Sequence, residues 1–256
     1  MRETNLRSLP ANDQLEFLDW EARRVSTARQ VTIVLARCTG VSEPDAASLT
    51  VGEREALLLE IRRLMFGDRM SCVLRCPSES CREKMDLDLN VGDLLLPSSF
   101  GLPSIHEIVL DGCLVRFRLP DGADQEAVAP LAVADESAAV EALLERCVLS
   151  VEQDGEPVTR VSPLLAERIS EEMSLRDPQA EIVLEPNCPS CGQSFRTVLD
   201  AASFFFTELA ARARTLLEEI HLLASHYHWS EAQILSLPER RRKLYLGLVQ
   251  AGRSLA

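Results

Sequence analysis

The stretch Glu185-Pro-Asn-Cys-Pro-Ser-Cys-Gly192 (EPNCPSCG) decides how this chain folds. Its two cysteines have the C-x2-C spacing of a metal-binding knuckle, but a tetrahedral metal site needs four ligands. A second stretch, Cys76-Pro-Ser-Glu-Ser-Cys81, offers two more cysteines in a C-x4-C turn. Each turn lies between two segments of strand periodicity and is followed by the start of a helix, so one pattern occurs twice. We therefore expect the two knuckles to meet and to hold one structural zinc ion through Cys76, Cys81, Cys188 and Cys191.

Other readings of the cysteines remain open on the sequence alone. A C-P-x-C turn can be a redox dithiol, although that motif opens a helix after a strand, whereas both turns here are flanked by strands. The knuckles can also be remnants of a site that has lost its metal. Cys72, on the strand that leads to the first knuckle, is an alternative ligand. The remaining cysteines lie in apolar surroundings and are expected to be small core residues: Cys38, Cys113 and Cys147.

The composition limits the classes of function. With 256 residues, 46% of them hydrophobic, the chain can fill a core of its own. The formal net charge of −13 argues against nucleic acid as the main partner, because binding to phosphates requires Lys and Arg to replace condensed counterions. No apolar run approaches the roughly 18 residues of a membrane span, and Met1–Pro10 lacks the apolar core of a secretory signal. We expect a cytoplasmic protein with reduced thiols and no membrane partner.

Outward from the knuckles, the hydrophobic periodicity predicts an α+β fold that is mainly helical, with a small antiparallel sheet and a split four-cysteine zinc ribbon. Thr50 and Glu53 predict a capping box for a helix that ends at Phe66-Gly67-Asp68, and Asp111-Gly112 predicts a hairpin. We expect a single domain over residues 1–256. Its segments are N-terminal helices (1–69), the first knuckle and hairpin (70–120), a helical insertion (121–179), the second knuckle (180–200) and C-terminal helices (201–256).

The sequence shows no catalytic pattern. It contains no nucleophile elbow, P-loop or dinucleotide-binding glycine motif, and its acidic residues show no pairing beyond that of a solvated surface. His221, His226 and His228 lack the i,i+4 pair and the intervening Glu of a metalloprotease helix. They fit surface histidines near a helix C-terminus, where they suit the helix dipole. We expect a protein that is not an enzyme.

The stretch Trp229–Val249 (WSEAQILSLPERRRKLYLGLV) predicts a helix-turn-helix element. Ser230 can cap a short helix with Trp229 as its hydrophobic staple, and Pro238 can start the next helix. The apolar residues of the second helix that we expect to pack inward are Leu244, Leu248 and Val249.

Some residues of this element are candidates for binding a partner, because Trp, Tyr and Arg dominate protein interfaces. These candidates are Trp229, Arg240, Arg241 and Tyr245. Two alternatives stay open: the two aromatic residues can instead hold the element to the core, and the Arg240–Lys243 cluster can be a solvated face or can pair with acidic residues of the same chain.

Several stretches together resemble the T4-type baseplate hub assembly proteins of contractile-tailed phages and phage-tail-like contractile injection systems. They are Leu49–Arg63 (LTVGEREALLLEIRR), Phe66-Gly67-Asp68 before the first knuckle, Cys188–Phe195 (CPSCGQSF) and His226–Val249. The resemblance covers roughly residues 45–95 and 180–250. Knuckles of that family commonly read C-P-x-C-G. Cys188–Gly192 fits this pattern, whereas Cys76–Cys81 carries two extra residues and lacks the following Gly.

The resemblance implies a non-enzymatic role in assembling the hub or baseplate of a contractile particle, as an adaptor or as a chaperone that leaves afterwards. Its partners would be baseplate or hub proteins. The ribbon alone supports a different hypothesis, a zinc-ribbon accessory protein that binds nucleic acid or the transcription machinery, and the net charge of −13 weighs against it. A third hypothesis, an enzyme of unknown chemistry, rests only on the histidines near one helix end.

Overall fold

The computed structural model describes residues 6–96, 104–158 and 160–253. The first half of Met1–Pro10, where we expect no secretory signal, lies outside these residues. The helices are α1 (Ala11–Ala22), α2 (Thr27–Thr39), α3 (Glu43–Ala47), α4 (Val51–Phe66), α5 (Val91–Leu94), α6 (Gly122–Ala134), α7 (Glu136–Cys147), α8 (Pro163–Arg176), α9 (Ala201–Tyr227), α10 (Glu231–Leu235) and α11 (Glu239–Arg253). The strands are β1 (Arg69–Arg75), β2 (Lys84–Asn90), β3 (His106–Leu110), β4 (Cys113–Phe117), β5 (Val148–Gln153), β6 (Glu156–Pro157), β7 (Ile182–Leu184) and β8 (Thr197–Leu199).

The strands confirm small antiparallel sheets in a mainly helical chain, but they do not form one sheet. The described strands make three: β1–β2, β3–β4–β5–β6 and β7–β8. The prediction of a single small antiparallel sheet is therefore wrong in the number of sheets. The Asp111-Gly112 hairpin is extended by β5 and β6, which the sequence reading missed. Their connection, Asp154-Gly155, has φ values of 52° and 84°, close to the 50° and 82° of Asp111-Gly112.

Helix α4 shows how local sequence fixes an element boundary. The Thr50 hydroxyl accepts the Glu53 backbone N–H at 3.3 Å, and the Glu53 carboxylate accepts the Thr50 N–H at 3.0 Å. This confirms the predicted capping box. The helix ends before Gly67, whose φ of 94° favours glycine.

The described residues within 1–8 and 26–202 form one compact unit, which contains both knuckles. Its four-stranded sheet is buried on one face, against α8 and the end of α7. That face supplies Val115 and Phe117, both fully buried, and the helices supply Cys147 and Ile169. The other face is solvated and carries the Glu107–Arg116 ion pair at 2.7 Å. Alternation of apolar and polar residues along β3 and β4 thus produces a one-sided sheet.

The described residues within 9–25 and 203–256 form the second unit, with α1, nearly all of α9, α10 and α11. One buried cluster of this unit consists of Leu216, Ile220, Leu223, Ile234 and Val249. The predicted single domain with five segments stays a prediction.

Helix α11 is oriented differently from the expectation. Val249 is buried as predicted, but the inward packing of Leu244 and Leu248 is wrong, because these side chains are 64% and 63% exposed. The buried face instead contains Arg242, whose guanidinium lies 3.4 Å from the Glu219 carboxylate of α9. An arginine that is paired with a glutamate thus occupies a buried position for which the hydrophobic pattern predicts a leucine.

Candidate metal centre

The first knuckle is a tight turn between β1 and β2. The Cys76 backbone N–H donates to the Glu83 carbonyl at 2.9 Å, and the N–H groups of Cys81 and Arg82 both donate to the Ser78 carbonyl at 3.0 Å. These bonds draw the two ends of the C-x4-C turn together, so both cysteines lie at the same end of the hairpin.

The second knuckle, between β7 and β8, has a corresponding framework. The Cys188 N–H donates to the Gln193 carbonyl at 2.9 Å, and the Gly192 N–H donates to the Cys188 carbonyl at 2.9 Å. An isolated bridge between Asn187 and Ser194 closes the turn at its base. The repeated sequence pattern of strand, turn, strand and helix is therefore present twice, once before α5 and once before α9.

The residue after the second cysteine has a left-handed backbone in both knuckles. Gly192 has a φ of 74°, and Arg82 at the corresponding position has a φ of 48°. The first knuckle therefore keeps the glycine-like conformation without the glycine, at an expected cost of roughly 1–2 kcal/mol for the Cβ. Its departure from the C-P-x-C-G pattern does not change the conformation at this position.

The structure brings the four predicted ligand sulfurs together. Those of Cys76, Cys81, Cys188 and Cys191 all lie within 4.8 Å of one another. The first cysteine of each knuckle approaches the second cysteine of the other: the Cys76–Cys191 and Cys81–Cys188 sulfur distances are both 3.7 Å. These distances are far longer than the roughly 2.05 Å of a disulfide bond.

The environment of the cluster combines burial with backbone donors. Cys76 and Cys188 are each 1% exposed, whereas Cys191 is exposed. A hydrogen bond from the Cys191 backbone, aided by Ser190 and the neighbouring Cys191 and Cys76 sulfurs, lowers the pKa of the Cys188 thiol to about 7. The Ser78 backbone lowers the pKa of Cys76, but desolvation and the neighbouring sulfurs outweigh it and raise that pKa to about 12. The Cys188 thiol thus ionises readily, whereas the Cys76 thiol retains its proton unless a cation compensates the charge of its thiolate.

The other cysteines do not join this cluster. Cys72, the alternative ligand, directs its sulfur to the Leu87 carbonyl at 3.7 Å. The three cysteines expected in the core are buried, which confirms that expectation: Cys38, Cys113 and Cys147.

The candidate partner-binding residues divide into two kinds. Trp229 and Tyr245 are half-buried and form an aromatic group with Tyr227, with ring centroids 4.7–5.5 Å apart. These rings pack on the buried cluster of the second unit. Trp229 and Tyr245 therefore stabilise the helix-turn-helix element. Arg240 and Arg241 are exposed. A role of these four residues in binding a partner stays a prediction.

The rest of the basic cluster pairs within the chain. Lys243 contacts Glu239 at 2.7 Å, and buried Arg242 contacts Glu219, which Arg212 also contacts at 3.0 Å. The histidines near the end of α9 are exposed, as expected: His221, His226 and His228. Among the described helices, none is both long and apolar enough to cross a membrane.

Comparison with known proteins identifies the family. The model of a family described as T4 bacteriophage base plate protein matches residues 3–207. No curated protein and no solved structure matches the chain. The matched residues include both knuckles and end within α9, so the resembling stretch His226–Val249 lies beyond them. Since the match covers most of the 256 residues, the chain belongs to the T4 bacteriophage base plate protein family.

Proposed function

We propose that the chain is a non-enzymatic assembly factor or adaptor for the baseplate hub of a contractile phage tail or phage-tail-like injection system, acting in the cytoplasm and stabilised by one structural zinc ion. The family match over residues 3–207 carries this proposal. The family indicates a structural or assembly role in phage tails and interaction with other baseplate components, and it is generally non-enzymatic.

The four-cysteine cluster supports the zinc part of the proposal. A tetrahedral site with zinc–sulfur bonds of about 2.3 Å has sulfur–sulfur edges of about 3.8 Å. The two measured cross-knuckle distances are 3.7 Å, and the full set lies within 4.8 Å. Thiolate is the ligand type that zinc favours in closed structural sites, and the backbone donors around Cys188 suit a negatively charged sulfur set.

A site with four protein thiolates leaves no coordination position for a substrate or a water molecule, so its contribution is to stability. Its ligands are far apart in the chain, since Cys76 and Cys191 are 115 positions apart. Closing a loop of about 100 residues removes roughly 4–5 kcal/mol of conformational entropy from an unfolded chain. One ion would thus fix both ends of the region that contains the four-stranded sheet.

Affinity capture from cells that produce the contractile particle tests the assembly role. A tagged chain expressed at its native level should recover a tail, hub or baseplate component. Separation of finished particles from unassembled material then distinguishes the two roles, because an adaptor stays with the particle and an assembly factor is found only with free components. Recovery of no tail, hub or baseplate component would rule out the proposal.

Two matched cysteine variants test whether the captured interaction depends on the zinc site. Cys188→Ser should lose both the metal and the baseplate components, whereas Cys72→Ser, which changes a cysteine outside the cluster, should retain both. Equal recovery by the two variants would show that the zinc site is not needed for the interaction.

A further inference from the structure

The C-terminal half of α6 is apolar where an exposed helix normally carries charges. From Ala127 to Ala134 the sequence AVAPLAVA contains no charged residue. Val133 is 91% exposed and Leu131 is 36% exposed, and Val140 on the adjoining helix α7 is 50% exposed. Exposed apolar side chains concentrated in one segment, with charges only around them, are a feature of contact sites.

Acidic side chains accompany this apolar segment. Glu136, Glu141 and Glu145 project from α7, which packs against α6, and all three are exposed. Within the described part of the chain, none of them takes part in an ion pair. The apolar C-terminal half of α6 with Val140 and these glutamates is called the acidic surface below.

Helix α11 presents a second surface with the opposite charge. Leu244 and Leu248 are 64% and 63% exposed, and a Cβ built on Gly247 between them meets nothing within 4 Å. The flanking Arg240 and Arg241 are exposed, and neither has an ion-pair partner among residues 6–96, 104–158 and 160–253. Leu244, Gly247, Leu248 and these two arginines are called the basic surface below.

We propose that the acidic surface of one copy of this chain binds the basic surface of a second copy. Each surface joins exposed apolar side chains to charges that have no ion-pair partner among the described residues. The two sets of charges are opposite in sign, which is the complementarity that selects and orients partners. A contact of either surface with itself would bring like charges together and is disfavoured. Because each chain has a net charge of −13, two copies repel each other electrostatically. A contact made through the basic surface lowers this repulsion.

Such a contact is heterologous, so each copy keeps one free surface and can bind a further copy. The proposal does not rest on the baseplate role, because self-association is a property of the purified chain alone. The contact also assigns a partner to Arg240 and Arg241, which the sequence predicts to bind one. That partner is the acidic surface of a second copy.

Two substitutions test the two surfaces one at a time. Val133→Lys places a cation on the acidic surface, and Leu248→Glu places an anion on the basic surface. Both positions are exposed, so stability should change by no more than about 0.5 kcal/mol. Leu175→Lys, at a leucine of α8 that is 74% exposed, is the matched control outside both surfaces. Thermal melting of each variant verifies the fold.

Sedimentation velocity over a concentration series gives the result. The wild type and Leu175→Lys should exceed the mass of one 28.4 kDa chain as concentration rises, and added salt should weaken this association. Each surface variant alone should weaken it by about tenfold or more. A mixture of Val133→Lys and Leu248→Glu should form a one-to-one pair that grows no further, because each supplies the intact surface that the other lacks.

Three outcomes would overturn the proposal. The wild type stays at the mass of one chain at its highest soluble concentration; a surface variant associates as strongly as Leu175→Lys; or the mixture of the two surface variants stays monomeric while the wild type associates. The last result would mean that copies associate through other surfaces, or through a surface that binds the same surface of the second copy.

Discussion

At the residue scale, Glu55 couples the stability of the first unit to pH. It lies half-buried on α4, where desolvation, aided by the Asp200 carboxylate, raises its pKa from 4.5 to about 7. Between these two pH values the folded chain retains a proton that the unfolded chain has released. The free energy of unfolding therefore falls as pH rises through this window, by about 3 kcal/mol in total, and the loss is complete above the folded pKa.

The substitution Glu55→Gln should remove this dependence. We expect the variant to be more stable than the wild type by up to about 3 kcal/mol above the folded pKa, and to show little difference below the unfolded pKa. Urea unfolding at several pH values measures both. Glu171→Gln, at an exposed glutamate of α8, is the control and should change little. A stability difference between Glu55→Gln and wild type that does not grow with pH would contradict this assignment.

Residue identities and spacings were sufficient to predict the cysteine cluster. Two knuckles with the same flanking pattern indicated one shared site, and the four sulfurs do meet. The same reasoning did not reveal that Arg82 adopts the conformation of Gly192, because nothing in the residue type of an arginine indicates a positive φ.

At the element scale, the first turn of α4 is held by a residue from a distant part of the chain. The Gly52 backbone N–H donates to the buried Asp177 carboxylate at 2.8 Å. A Cβ at Gly52 would lie 1.8 Å from that carboxylate, so any side chain there must displace it. The glycine is required by this close approach and not by its backbone angles.

We expect Gly52→Ala to destabilise the chain by about 2–3 kcal/mol, because a buried carboxylate would lose its backbone donor. Gly247→Ala is the matched change at a helical glycine with open space around it, and should stabilise by roughly 0.5–1 kcal/mol. Chemical denaturation of both variants measures the contrast. Similar effects of the two substitutions would show that Asp177 does not approach Gly52 as described.

The prediction of helices and strands succeeded where residues close in the sequence determine the structure. It failed where a residue far away in the sequence determines it. The capping box of α4 could be predicted because its two residues, Thr50 and Glu53, are only three positions apart in the sequence. β5 and β6 were missed although Asp154-Gly155 carries the hairpin signal, since β5 follows α7 without a break and β6 has only two residues. The orientation of α11 depends on the buried Arg242–Glu219 pair, which joins two helices and has no local signature.

At the scale of the whole molecule, the family match and the cysteine cluster concern the same part of the chain. The matched residues 3–207 contain both knuckles, and the cluster joins positions that are 115 residues apart. The pattern of a single sequence could indicate that the knuckles meet, because it occurs twice. It could not indicate which surface binds a partner, since exposure of Leu244, Leu248 and Val133 depends on how the helices pack.

The measurement that tests the central claim most directly is the zinc content of the purified chain, by native and elemental mass spectrometry. Four proteins are compared: the wild type, Cys76→Ser/Cys81→Ser, Cys188→Ser/Cys191→Ser and Cys72→Ser as the control. We expect one zinc ion per chain in the wild type and in Cys72→Ser, and none in either double variant, because each knuckle supplies half of the ligands. A wild type without zinc, or a double variant that retains it, would contradict a single site shared by the two knuckles.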